Sequence, residues 1–283
     1  MLKPSLIDPI VKIALKEDIG SKDITSSAVL PAQLTVKAAI IFKQKAVLCG
    51  VEVAERAFRL IDENLRFLPV AKDGERIESG REAAYIEGRA VSILAAERTA
   101  LNFISRLSGV ATKTGEFVDK IKHTAAKIMD TRKTTPGLRR LEKYAVITGG
   151  GVNHRLGLYD QVLIKDNHLR ILRKTPLVDI TERARRGVLK HTVIGIEVKN
   201  LMEFKEALKS RVDYILLDNM PVETVREAVA LRQKAGVKVP LEVSGGINLE
   251  NVTAYAELGV DRISVGALTH GATSIDVALD IVG

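Results

Sequence analysis

The chain has 283 residues, 46% of them hydrophobic and 28% charged, with a formal net charge of +8. That is an ordinary globular composition, long enough for one large α/β domain or a barrel with a smaller companion. It excludes a disulfide-built scaffold, because Cys49 is the single cysteine, and a transmembrane helix, because no apolar run approaches about 18 residues.

Cys49 lies between Ala46-Val47-Leu48 and Gly50-Val51. It reads as a buried structural thiol in a reducing compartment, so a cytoplasmic protein with no membrane partner is expected. The opening residues, MLKPSLIDPIVKIALKEDIG, mix acidic groups into an amphipathic pattern and lack the shape of a signal peptide. Ile7, Ile10, Val11, Ile13 and Ala14 recur at helical spacing up to Gly20. DIGSKDITSSAVLP follows as a polar loop with several capping residues. Residues 34–48 read as strands, with Val36, Ala38, Ile40 and Phe42 alternating with mostly polar neighbours. Residues 51–61 read as a helix, and 65–88 as short strands with turns at Asp73-Gly74 and Ser79-Gly80. A helix over 92–108 and a second from 112 to 123 complete the pattern. Residues 1–111 are therefore expected to form an α+β domain.

Beyond residue 125 the rhythm changes. Short apolar runs ending at Met129, Ile164, Ile196, Leu217, Val243 and Val265 alternate with amphipathic segments such as 202–208, 222–234 and 249–258. A βα repeat of this kind predicts parallel strands with right-handed helical crossovers. Each strand ends in a charged or glycine-rich step: Asp130-Thr131-Arg132-Lys133, Lys165, Glu197, Asp218, Ser244-Gly245-Gly246 and Gly266. Working residues at the ends of several strands favour a TIM-like barrel over a doubly wound sheet, and no GxGxxG follows the first strand.

The positive charge is local. Residues 126–175 hold 11 Lys/Arg against 4 Asp/Glu, close to the whole excess. The few aromatics do not interleave with these cations, so a pocket for a small polyanion is expected rather than a nucleic-acid surface. Arg132, Lys133 and Arg155 suit a fixed dianion, because arginine grips carboxylates as a bidentate fork. Lys165 could alternatively be a Schiff-base amine, as in barrel aldolases. His154 could be an acid, a base or a hydrogen-bond donor. Glu197 and Asp218 could accept ribose hydroxyls or hold Mg²⁺. The glycine loops SGGI at 244–247, read as leading into a helix with Asn248 and Glu250 in its first turn, and SVGALTHG at 264–271 could cradle a phosphate with His270 in contact. Arg139, Arg140 and Lys143 fall on an intervening helix and read as solvated or interfacial. Arg98, within AERTALN, reads by itself as a solvated or salt-bridged arginine.

The run DTRKTTPGLRRLEKYAVITGGGVNHRLGLYDQVLIKDNH resembles the signature of the quinolinate phosphoribosyltransferase family. The similarity continues through DIGSKDIT, AERTALNFISRLSGVAT, IEVKN, LLDNM, EVSGGI and SVGALTHG. As a set it covers most of the chain and is far more specific than any one motif. The resemblance implies transfer of phosphoribosyl from phosphoribosyl pyrophosphate to quinolinate, with Mg²⁺ and loss of CO₂. It implies an open, six-stranded barrel over 112–271 and an N-terminal α+β domain, 1–111, joined by the C-terminal tail, 272–283. It also implies a homodimer with shared sites, leaving higher assemblies open. Carried over by position, Arg132, Lys133, His154, Arg155 and Lys165 match the quinolinate pocket, and Arg98 matches an arginine that reaches it from the partner subunit. Lys133 and Lys165 are also candidates for meeting the phosphoribosyl substrate. Glu197 and Asp218 match the acidic pair facing ribose and metal. Ser244, Gly245, Gly246, Gly266 and His270 match the phosphate region. A related barrel with another substrate remains the alternative to this reading, beside the Lys165 aldolase.

Overall fold

The computed structural model describes residues 3–282. In chain order the elements are α1 (Pro4–Ile19), α2 (Ile24–Val29), β1 (Thr35–Phe42), β2 (Ala46–Val47), α3 (Val51–Ile61), β3 (Arg66–Pro69), β4 (Arg76–Ile77), β5 (Glu82–Arg89) and α4 (Ala90–Ile121). Then follow β6 (Lys127–Met129), α5 (Arg139–Thr148), β7 (Val162–Ile164), α6 (Asp166–Ile171), α7 (Leu177–Arg186), β8 (Ile194–Val198), α8 (Leu201–Ala207) and β9 (Tyr214–Asp218). The chain closes with α9 (Val222–Lys234), β10 (Leu241–Ser244), α10 (Val252–Ala256), β11 (Arg262–Ser264), α11 (Ala267–His270) and β12 (Val277–Ile281). No helix among the described residues is long and apolar enough to cross a membrane.

The chain forms two compact units. The first holds the residues up to Gly115, Thr134–Gly150 and the segment from Gly271 onward. Its antiparallel sheet has the order β12-β1-β5-β3. Ile7, Val11 and Leu15, four apart on one face of α1, are buried, and α1 packs on α3. Asp62, just past the end of α3, ties this unit together. Its carboxylate accepts from Arg89 Nε at 2.9 Å, the Arg89 guanidinium terminus at 2.7 Å and Ser92 Oγ at 2.9 Å. Burial pushes this carboxyl up, but the hydrogen bonds from Arg89, Ser92 and Asn64 outweigh it and hold the pKa down at about 2, against an ordinary 3.8.

Several local expectations are corrected here. The polar stretch after Gly20 contains α2, because Asp23 caps it by accepting from the Ser26 N–H at 3.0 Å. The two helices expected over 92–123 are one continuous α4. Gly109 does not break the helix; it makes room for the chain's last segment. A Cβ there would lie 2.0 Å from the Thr273 carbonyl oxygen. Residues 134–150 cluster with the first unit, where Glu142 is fully buried and accepts from Arg106 at 2.7 Å and from the Thr135 N–H at 3.0 Å. Lys143 on the same helix is buried, not solvated; Arg140 is exposed.

The second unit holds Glu116–Lys133 and Gly151–His270. Its six parallel strands pair in the order β6-β11-β10-β9-β8-β7 and form an open barrel with β6 and β7 at the two ends. Register sets the interior. Gly195 is level with Tyr214, Glu197 with Leu216, Leu216 with Glu242 and Glu242 with Arg262. One layer further on, Asp218, Ser244 and Ser264 are level. Gly195 is required by its neighbour: a Cβ there would meet the Tyr214 ring at 2.1 Å.

Two outcomes follow from this packing. Because the Asp62 pKa is depressed, its contribution to stability is full above pH 3.8 and disappears as pH falls toward about 2. Asp62→Asn should flatten that part of the pH dependence of the urea midpoint; an unchanged slope removes Asp62 from the account. Gly109→Ala should destabilise the protein by about 1–3 kcal/mol and deprotect β12 amides in hydrogen exchange. Wild-type protection of β12 in that variant contradicts the close approach of the tail.

Candidate active site

The site begins with a buried carboxylate. Asp130, at the end of β6, is fully buried and accepts the His154 N–H at 2.9 Å. Val152 bridges Met129 in parallel, extending the β6 edge by one residue pair. Asp160 accepts from the Leu156 and Gly157 N–H groups at 2.6 and 2.9 Å, closing a tight loop. Between these two anchors the chain must place His154 and Arg155. Gly149 caps α5 and Gly150 takes a φ of 89°, so the glycine run ends the helix.

These residues open on a cavity of about 690 Å³, large enough for two small substrates together. Its walls follow the strand order. Thr131, Arg132 and Lys133 come from the end of β6, and Lys165 from the end of β7. Glu197 and Asp218 end β8 and β9. Ser244, Gly245 and Gly246 follow β10; Gly266 and His270 follow β11. His154 and Arg155 also line it. Cations thus enter from the two ends of the open sheet, carboxylates from one side of the middle and glycine loops from the other.

Each group is held by a short-range contact. Lys165 caps α6, where its N–H donates to His168 Nδ1 at 2.8 Å, and its Nζ donates to Glu197 at 3.2 Å. Burial, followed by the neighbouring Arg132, pushes the Arg155 guanidinium below its ordinary range; it donates to the Gln161 carbonyl at 3.2 Å. Gly245 and Gly246 have φ of 94° and 64°, which side chains avoid, and a Cβ on Gly245 would collide with the Asn219 amide at 2.3 Å. At Gly266 a Cβ would press Lys133 at 3.0 Å and His270 at 3.2 Å. Successive backbone N–H groups in such loops form an anion-binding nest.

The cavity brings together Arg132, Lys133, His154, Arg155, Lys165, Glu197, Asp218, Ser244, Gly245, Gly246, Gly266 and His270. It does not include Arg98, which is exposed on α4 of the first unit. The helix expected to start at the SGGI loop begins only at Val252; Asn248 and Glu250 lie in a turn where Asn251 donates to the Gly246 carbonyl at 2.9 Å. Sequence reasoning missed Asn219 and Glu242. Asn219 carries a positive φ of 53°, which no spacing rule announces. Glu242 was legible only as an acidic residue inside an apolar strand run.

The family profile described as "Quinolinate phosphoribosyl transferase, N-terminal domain" matches residues 23–108, and that described as its C-terminal domain matches 110–280. A probable nicotinate-nucleotide pyrophosphorylase (carboxylating) of Bacillus subtilis is 41% identical over 265 residues, covering 94% of this chain and 90% of the relative. The nicotinate-nucleotide pyrophosphorylase (carboxylating) of Mycobacterium leprae is 42% identical over 277 residues, covering 96% and 95%. Among solved structures, NadC from Streptococcus pyogenes superposes with a TM-score of 0.94 at 37% identity, covering 100% of this chain and 99% of that one. The nicotinate-nucleotide pyrophosphorylase of Francisella tularensis gives 0.92 at 36%, covering 100% and 98%. Matched along both of its domains, with the cation, carboxylate and glycine-loop groups lining one cavity, the chain belongs to the quinolinate phosphoribosyltransferase family.

Proposed function

We propose that this protein transfers phosphoribosyl from phosphoribosyl pyrophosphate to quinolinate and decarboxylates the product, giving nicotinate mononucleotide, pyrophosphate and CO₂ for NAD biosynthesis. The observation that carries the reading is the sorting of charge around one cavity: Arg132, Lys133, Arg155 and Lys165 for a dicarboxylate, Glu197 and Asp218 for a cationic sugar, and the Gly245-Gly246 and Gly266 loops for a phosphate. Nothing in the family membership supports a Schiff-base aldolase, and Lys165 donates to Glu197 instead.

The reaction follows from those groups. The cations hold both carboxylates of quinolinate, so the ring nitrogen is aimed at the anomeric carbon. The C–O bond to pyrophosphate breaks as the C–N bond forms, and positive charge develops on the ribose. Glu197 and Asp218 stabilise that charge and accept ribose hydroxyls. The ring nitrogen is now quaternary. It stabilises the electron pair left on the adjacent carbon when CO₂ departs, and a proton then replaces the lost carboxylate. Lys133 and Lys165 are the cations we assign to the leaving pyrophosphate as well.

Glu197 and Asp218 also fit a magnesium ion brought in by the cosubstrate, since Mg²⁺ takes one or two carboxylates and completes its shell with phosphate and water. Among the described residues no cluster of three or more metal-ligating side chains forms a dedicated site. When bound, the ion offsets the charge of the departing pyrophosphate. We assign Arg98 to the partner subunit's site in a homodimer, which leaves its exposed position in the first unit with a role. The buried thiol of Cys49 suits a reducing compartment, and we place the enzyme in the cytoplasm.

Incubation with quinolinate, phosphoribosyl pyrophosphate and Mg²⁺ should release equal amounts of nicotinate mononucleotide and CO₂; no product means the reading is wrong. Arg132→Ala should lower kcat/KM by at least about a hundredfold while the circular dichroism spectrum is kept. Full activity in that variant removes Arg132 from the pocket assignment. Inactive Arg98→Ala and Lys165→Ala proteins, mixed and allowed to exchange subunits, should regain part of the activity. No recovery in proven heterodimers rules out a shared site.

A further inference from the structure

The floor of the cavity holds a carboxylate that the reaction above does not use. Glu242, in the middle of β10, is fully buried and lines the cavity. Its Oε1 accepts from Ser264 Oγ at 2.6 Å and faces His154 Nε2 at 3.3 Å. Its Oε2 is buried with no hydrogen-bond partner among the described residues. Leaving a buried carboxylate oxygen without a protein partner costs stability, and an apolar side chain at this position would avoid that cost. Its contact with His154 indicates what the carboxylate does there.

His154 is constrained from both sides. Its Nδ1 accepts the Arg155 N–H at 2.7 Å, so that nitrogen presents a lone pair and the neutral ring carries its proton on Nε2. Nε2 points between Glu242 Oε1 at 3.3 Å and Tyr214 Oη at 3.3 Å. Tyr214 is itself fixed: its hydroxyl accepts from Gln161 Nε2 at 2.6 Å, and its ring lies beneath the Arg262 guanidinium at 5.2 Å. The Nδ1 contact means that the ring's tautomer and the Arg155 backbone are set together.

We propose that Glu242 is a positioning residue: by accepting the His154 Nε2–H it locks that tautomer, and with it the His154-Arg155 pair that meets the pyridine dicarboxylate. The inference rests on the reading of this cavity as the quinolinate site. Glu242 touches no substrate in this scheme. It acts through His154, as a carboxylate behind a histidine commonly does. Losing it releases the ring to exchange tautomers, which sets an N–H of Nδ1 against the N–H of Arg155. The cost falls on quinolinate binding and not on the phosphoribosyl substrate, whose groups are held by the strand ends of β8 to β11 and by Lys133 and Lys165.

The test combines nitrogen-15 NMR of the histidine rings at about pH 8, in the intact enzyme without substrates, with steady-state kinetics. The His154 signal is assigned by its loss in His154→Gln. In the wild type Nε2 should carry the proton; a protonated Nδ1 with a bare Nε2 overturns the proposal without any Glu242 variant. Glu242→Gln keeps an acceptor oxygen, so it should keep the tautomer and hold the quinolinate KM within about threefold. Glu242→Met fills the space without an equivalent acceptor. It should mix the tautomers and raise the quinolinate KM about tenfold while the phosphoribosyl pyrophosphate KM moves less than about twofold. Wild-type tautomer and quinolinate KM in Glu242→Met, or an equal rise in both KM values, overturns the proposal. If Glu242→Met does not fold, Glu242→Gln decides: the proposal stands if it keeps both tautomer and quinolinate KM, and falls if the KM rises with the tautomer intact. A wild-type enzyme inactive on quinolinate sinks the reading of the cavity but leaves the tautomer result in place, so the two failures are distinct.

Discussion

Parallel strands cannot be joined by tight turns; each needs a return segment, so the strand ends at one edge of the sheet are followed by loops free to carry chemistry. In the second unit everything else depends on how those ends line up. Asp218, Ser244 and Ser264 are level across β9, β10 and β11, and Glu197 on β8 lies one layer below, level with Leu216. A slip of one residue in any strand would turn its terminal side chain to the other face. Gly195 guards against crowding in the layer below, because a Cβ there would collide with the Tyr214 ring. The precision of the rim is therefore inherited from packing underneath it.

The second constraint is charge. A pocket for two polyanions must keep cations close together, and like charges resist that. Arg155 shows the tension: burial and Arg132 both disfavour its charged form. The unit meets this with carboxylates placed among the cations: Asp130 under the 152–157 loop, Asp160 closing it and Glu197 against Lys165. Only Glu197 of these lines the cavity. Asp130 and Asp160 work through backbone N–H groups. They position the loop and at the same time offset part of its charge.

The βα rhythm made the barrel legible, because alternation between short apolar runs and amphipathic segments survives small errors in boundaries. The strand-end residues were legible for the same reason: Lys165, Glu197 and Asp218 each directly follow an apolar run. What escaped was anything fixed by non-local geometry. The sequence reads as two helices separated after residue 108, and only the Thr273 carbonyl packed against Gly109 explains why a glycine stands inside continuous α4. Lys143 reads as a solvated or interfacial lysine, and its burial follows from α5 belonging to the first unit with Glu142 and Arg106. Asn219 holds a left-handed conformation, and a side chain on Gly245 would collide with its amide, a pairing made across two strand ends. Arg98 illustrates the opposite limit: its own spacing on the helix says nothing, and its proposed role comes through family membership.

Glu242 and Tyr214 show why the barrel interior is not simply apolar. Leu163, Tyr214 and Leu216 form a buried cluster of the kind that fills small barrels. Level with Leu216, β10 and β11 carry Glu242 and Arg262 instead of such side chains, and Glu242 faces His154 at 3.3 Å. Burial, and then Glu242, pushes the Tyr214 phenol well above its ordinary range, so the hydroxyl stays protonated beside the carboxylate. A neutral tyrosine, a single-tautomer histidine and a carboxylate with one oxygen engaged make a network with few alternative hydrogen-bond patterns. An all-leucine floor would spare the cost of burying a carboxylate and would leave His154 Nε2 without that acceptor. For a reaction that depends on aiming one ring nitrogen at one carbon, a fixed floor matters more than the stability an apolar one would add.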